Sequence, residues 1–141
     1  MYHRNTAKTP NLTWWYKAVM TIFYILKSVQ DGKCVPKNPR HLLFNEIASD
    51  KEAAQYMDLL QPQPADRWGG IVGYAAWQEV PSVYLHCEND QCVIPAWQEM
   101  FANNAGSKVV RCDAGHMMML SQPEAVARVV AEACEGFVSK V

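Results

Sequence analysis

A carboxylate and an imidazole are the side chains in this sequence whose order and spacing suggest catalysis. Asp90 ends the polar string His86-Cys87-Glu88-Asn89-Asp90, and His116 ends Cys112-Asp113-Ala114-Gly115-His116. A carboxylate accepting from one ring nitrogen of a histidine fixes its tautomer and stabilises the imidazolium. The other nitrogen is then left as a general base. Glu88 is the main competitor for the acid role, and Asp113 the next. Asp113 stands just before the histidine and suits bonds to local backbone N–H groups instead. The structural alternatives are a turn carboxylate at Asp90 and a loop histidine closing a strand end at His116.

Chemistry of that kind requires both side chains to be delivered to one place. Val83-Tyr84-Leu85 and Val109-Val110 are β-favouring runs, each followed by one of the two loops. Between them Trp97, Met100, Phe101 and Ala105 recur at helical spacing after Ile94-Pro95. Two strands joined through a short helical crossover should lie parallel, so both loops leave at the carboxyl edge of the sheet. Neighbouring strands lie about 4.8 Å apart. Asp90 and His116 could therefore meet across the edge where open α/β sheets bind ligands.

These residues resemble the C-terminal part of the α/β-hydrolase family. The similarity is to the small esterase-like branch that includes methylketone and methyl-salicylate esterases, hydroxynitrile lyases and many fungal relatives. The matching stretches are Glu88-Asn89-Asp90-Gln91-Cys92-Val93-Ile94-Pro95, which would carry the catalytic acid, and Asp113-Ala114-Gly115-His116, which would carry the base. Met119-Leu120-Ser121 and Tyr74-Ala75-Ala76-Trp77 also fit. The resemblance implies an α/β fold with short parallel strands and crossover helices, preceded by a cap-like helical segment. It runs from about Asp31 to the C-terminus. Three segments follow: an N-terminal extension over 1–30 outside the resemblance, a cap-like segment over 31–70, and a hydrolase core segment over 71–141.

The nucleophile of such an enzyme is usually a serine in G-x-S-x-G on a strained strand-to-helix turn. None of Ser28, Ser49, Ser82, Ser107, Ser121 and Ser139 stands between glycines in that way. Cys34, in Gly32-Lys33-Cys34-Val35-Pro36, has a proline where the second glycine belongs and follows no visible strand. In the family the nucleophile lies upstream of everything matched here. The expectation is a truncated hydrolase that keeps Asp90 and His116, lacks the nucleophile, and is inactive alone. An unpaired sheet edge would then favour self-association. A small apolar ester is the substrate class the resemblance implies, with no cofactor.

Two other functions compete. Cys87, Cys92, Cys112 and His116, with His86 in reserve, could form a zinc-binding module. Cys87 and Cys112 read equally well as apolar residues ending parallel strands. Alternatively the Asp90–His116 pair could act without a nucleophile, as a general base on water or an acidic substrate proton.

Composition narrows the field further. Half of the 141 residues are apolar, 19% are charged and the net charge is −1. That balance suits one globular domain and shows no basic stripe for nucleic acid. No secretory leader is visible and five cysteines is an odd number, so a cytoplasmic protein with free thiols is expected. From Thr13 to Gln30 the residues Trp15, Val19, Ile22, Leu26 and Val29 predict a helix. Packing against the body or a partner is preferred for residues 14–29 over contact with a membrane. Ser49-Asp50-Lys51-Glu52 and Ser121-Gln122-Pro123-Glu124 read as capping boxes. The second opens a helix whose stripe of Val126, Val129, Val130, Ala133, Cys134 and Phe137 should cover one face of the sheet. Trp77 and Trp97 are expected in the core, and Met117 to Met119 as soft packing.

Overall fold

In a computed structural model of the chain, residues 27–65 and 74–138 are described. Asp31 and Gly32 take positive φ, 50° and 70°. A two-residue hairpin turn needs that conformation twice in succession. It folds β1 (Lys27–Gln30) back on β2 (Lys33–Pro36), antiparallel, with Val29 opposite Cys34. A two-residue strand, β3 (Gln63–Pro64), joins β2 and completes a three-stranded sheet. The helix expected through Gln30 therefore does not extend over 27–30, where cross-strand pairing prevails over the apolar period. The rest of that helix, and any membrane contact through it, lies outside the described residues. Within the segment expected to be cap-like and helical, Lys33–Pro36 is strand.

Two helices follow, α1 (Pro39–Leu42) and α2 (Asp50–Asp58). Ser49 caps α2 as its motif predicts, its hydroxyl accepting from the Glu52 N–H at 3.3 Å. Leu43, Phe44 and Ile47, from the loop between the helices, bury against Ala53. Tyr56 stacks on Phe44 at 5.8 Å between ring centres, and Met57, Leu60 and Met117 pack around the cluster. Arg40 holds this loop in shape by donating to Asp50 and to the Ile47 carbonyl.

The second half has the predicted order. Strand β4 (Val83–Cys87) passes through α3 (Pro95–Ala105) to β5 (Lys108–Cys112), and the strands pair in parallel from Val83–Lys108 to Cys87–Cys112. Gly106, at φ 63°, ends α3 in the left-handed conformation that glycine adopts without strain. The helix turns a slightly different face inward from the one its apolar residues mark. Gln98 and Ala102 are buried, whereas Trp97, Met100, Phe101 and Ala105 are half-buried. Among the described residues this sheet has two strands.

The chain ends in α4 (Met118–Ser121) and α5 (Pro123–Val138). Ser121 does not cap α5. It belongs to the preceding helix and donates its hydroxyl to Glu46 at 3.1 Å, while the Gln122 carbonyl takes the first helical bond, from Val126. Nor is the α5 stripe covered by the sheet. Val126, Val129 and Ala133 are half-buried, Val130 and Cys134 are exposed, and the helix packs chiefly on α4. Trp77, in a short 3₁₀ turn (Ala76–Gln78), is also exposed rather than in the core. No helix among the described residues is long and apolar enough to cross a membrane.

Candidate active site

Parallel pairing places the two predicted loops side by side, and the backbone keeps them there. Beyond the last strand pair, the Glu88 N–H donates to the Cys112 carbonyl and the Asn89 N–H to the Ala114 carbonyl, at 3.0 and 2.9 Å. The Asp90 carboxylate is then fixed by its own loop, Oδ1 accepting from the N–H groups of Cys92 and Val93 at 2.7 and 2.9 Å. His116 brings Nδ1 to 3.0 Å from Asp90 Oδ2 and 3.2 Å from Oδ1. The two residues, 26 apart in sequence, thus form a buried carboxylate beside a half-buried imidazole.

The other acids lie elsewhere. Glu88 is exposed and points to Arg111, 3.9 Å away. Asp113 is exposed and accepts from the side-chain amide of Asn89. Its partner is thus a side chain of the facing loop, where local backbone N–H groups were expected. Of the carboxylates that could serve His116, Asp90 makes the contact.

The Asp90 carboxylate pushes the His116 imidazole up to about 10; a hydrogen bond from the ring to the Cys92 sulfur adds to this and burial opposes it. Near neutral pH the pair is therefore carboxylate and imidazolium. The ring can accept a proton only once something favours its neutral form. A hydroxyl donating to Nε2 would do so, as would fuller exclusion of water.

Several residues that position this pair escaped the sequence reading. Gln98 is 2% exposed and clamps the end of β4 to the acid loop. Its amide donates to the carbonyls of Cys87 and Val93 at 2.9 and 2.7 Å, and its oxygen accepts from the Cys87 N–H at 2.8 Å. Its sequence context offers little signal, because Glu99, Asn103 and Asn104 make the same helix polar elsewhere. Asn45 and Glu46 give none, because they reach the site from the α1–α2 loop. Asn45 Nδ2 donates to the Asn89 carbonyl at 2.9 Å, and Glu46 accepts from Asn89 and Ser121.

Gly115 makes that approach possible. A β-carbon there would lie 2.4 Å from Asn45 Oδ1 and 2.9 Å from Glu46 Cγ. Gly115→Ala should cost about 1–3 kcal/mol, as overpacking does in a tight contact. In an Asn45→Ala background the same change should cost clearly less, because the closest obstacle is gone. Denaturant unfolding of the four proteins measures both values; equal costs would show that the contact with Asn45 does not set the penalty.

The zinc set does not assemble. Cys87 and Cys112 meet, but Cys92 packs against the Leu43–Phe44–Ile47 cluster. His86 is buried with Nε2 3.3 Å from the Pro95 carbonyl and 3.7 Å from Glu99. Among the described residues no three of His, Cys, Asp and Glu could hold a metal ion. Cys34 is 2% exposed within β2, without the access a nucleophile needs.

Parallel strands joined through a crossover helix are consistent with the family that comparison with known proteins gives. The family model of the alpha/beta hydrolase family matches residues 11–129, and the chain belongs to that family. The match starts before Asp31, where the motifs alone placed it. Over 96 residues, 67% of this chain, it is 36% identical to the alpha/beta hydrolase nvfD of Aspergillus novofumigatus. Those residues are 38% of the relative's length, so the chain spans well under half of that protein.

Proposed function

We propose that this chain carries the acid and base of a Ser-His-Asp hydrolase of the esterase type, with the nucleophile supplied by a segment outside it. One observation supports this most directly: His116 Nδ1 stands 3.0 Å from Asp90 Oδ2, with the two residues on adjacent loops at the carboxyl edge of a parallel pair. Asp90 accepts a hydrogen bond from Nδ1–H and leaves Nε2 to serve a serine hydroxyl. His116 then takes that hydroxyl proton as the serine attacks an ester carbonyl and passes it to the leaving alcohol. A small apolar ester in the cytoplasm is the substrate and setting proposed.

The chain by itself holds the pair in its charged form and offers no serine in a nucleophile turn. Hydrolysis of a short activated ester such as p-nitrophenyl acetate should therefore stay at the buffer rate at pH 7. His116→Ala should behave identically. Turnover above background that disappears in His116→Ala would replace this reading with a nucleophile-free general base. Turnover that survives in His116→Ala would place the chemistry away from the pair altogether.

A further inference from the structure

Three sulfur atoms converge at the carboxyl ends of β4 and β5, beside but outside the Asp90–His116 pair. Cys87 and Cys112 are register partners in the parallel pair, so their side chains leave the same face of the sheet. Their Sγ atoms lie 3.6 Å apart. Met118, in the first turn of α4, brings Sδ to 3.1 Å from Cys87 Sγ. Cys87 is 4% exposed and Cys112 half-buried, and both thiols are free. The proposed hydrolase mechanism uses none of these atoms.

We propose that Cys87, Cys112 and Met118 form a binding site for a soft monovalent cation, with copper(I) as the ion it takes. Two thiolates and a thioether are the donors such an ion prefers over zinc or the harder divalent metals. Binding is an exchange of cations without electron transfer. Each S–H bond breaks as a copper–sulfur bond forms, two protons leave, the thioether donates a lone pair and copper stays in the +1 state. A three-coordinate site with metal–sulfur bonds of about 2.3 Å holds its sulfurs about 4 Å apart. The thiol pair at 3.6 Å needs to open only slightly, and the wider move required of Met118, now at 3.1 Å, falls on an unbranched and adaptable side chain.

The test supplies copper(I) anaerobically to the purified chain, in competition with a coloured copper(I) chelator and with millimolar glutathione present to strip single exposed thiols such as Cys134. The chain should retain one equivalent, with three sulfur neighbours by X-ray absorption. Met118→Leu, close to isosteric, should leave two sulfurs and bind about tenfold more weakly, and Cys112→Ser should bind at least about a hundredfold more weakly. Cys134→Ser should change nothing, and circular dichroism checks that each variant folds. No retention against the chelator overturns the proposal. So does retention unchanged in both Met118→Leu and Cys112→Ser, or a Cys87–Cys112 disulfide formed in place of copper binding.

Discussion

Asp90→Asn should bring the titration of His116 from about 10 down toward the ordinary 6.5. The carboxylate is the largest cause of the raised value, and asparagine removes its charge while keeping an oxygen for the Cys92 and Val93 N–H groups. The loop should therefore survive the change. Once the charge is gone, burial and the hydrogen bond with Cys92 act in opposite directions on the ring. The pH dependence of the His116 ring signals in an NMR titration reads this directly. A titration left near 10 would mean that the carboxylate does not control the ring.

The same substitution tests the energetics of the pair. A histidine whose folded pKa lies above its unfolded one contributes stability fully present below the unfolded value and lost as pH rises through the folded value. For His116 that window runs from about 6.5 to about 10. The Tm gap between wild type and Asp90→Asn should be wide at pH 6 and narrow by pH 10. Cys87, raised by burial to about 12, and Tyr84, also raised chiefly by burial, weaken the fold at alkaline pH in the same sense. Both proteins contain them, so the difference between the melting curves isolates the pair.

The parts of this site that the sequence made legible are those that depend on neighbours in the chain. Val83 to Cys87 and Lys108 to Cys112 follow from short β-favouring runs, and the helix between them from an apolar period. Parallel pairing and the meeting of Asp90 with His116 then follow from topology. Contacts from distant segments left no trace. Asn45 and Glu46 reach the site only because Leu43, Phe44 and Ile47 bury their loop against α2. Ser121 shows how a local motif loses to a tertiary partner: Glu46 takes the hydroxyl that a capping box would have used. The stripe on α5 was read correctly as a pattern and wrongly as a contact. Apolar periodicity states that a face prefers to be covered, and nothing in it identifies the covering surface.

Joined in frame to a segment carrying a serine in a G-x-S-x-G turn, as the proposed function requires, the chain should hydrolyse activated esters, and His116→Ala should then lower kcat by about a thousandfold or more. The size of the loss comes from the role assigned to the ring. Without it the serine has no base and the leaving alcohol has no acid, so both halves of the reaction suffer. Asp90→Asn should cost less in magnitude but change the shape of the pH profile. In the joined wild type the rate should rise from neutral pH toward about 10 to the extent that the ring keeps its raised titration. A serine donating to Nε2 would move that rise lower. In Asp90→Asn the limb should shift to lower pH while the plateau falls, because the neutral ring forms more readily but is no longer held in the right tautomer. A joined protein whose rate ignores both substitutions would remove Asp90 and His116 from the chemistry, even though the two side chains touch.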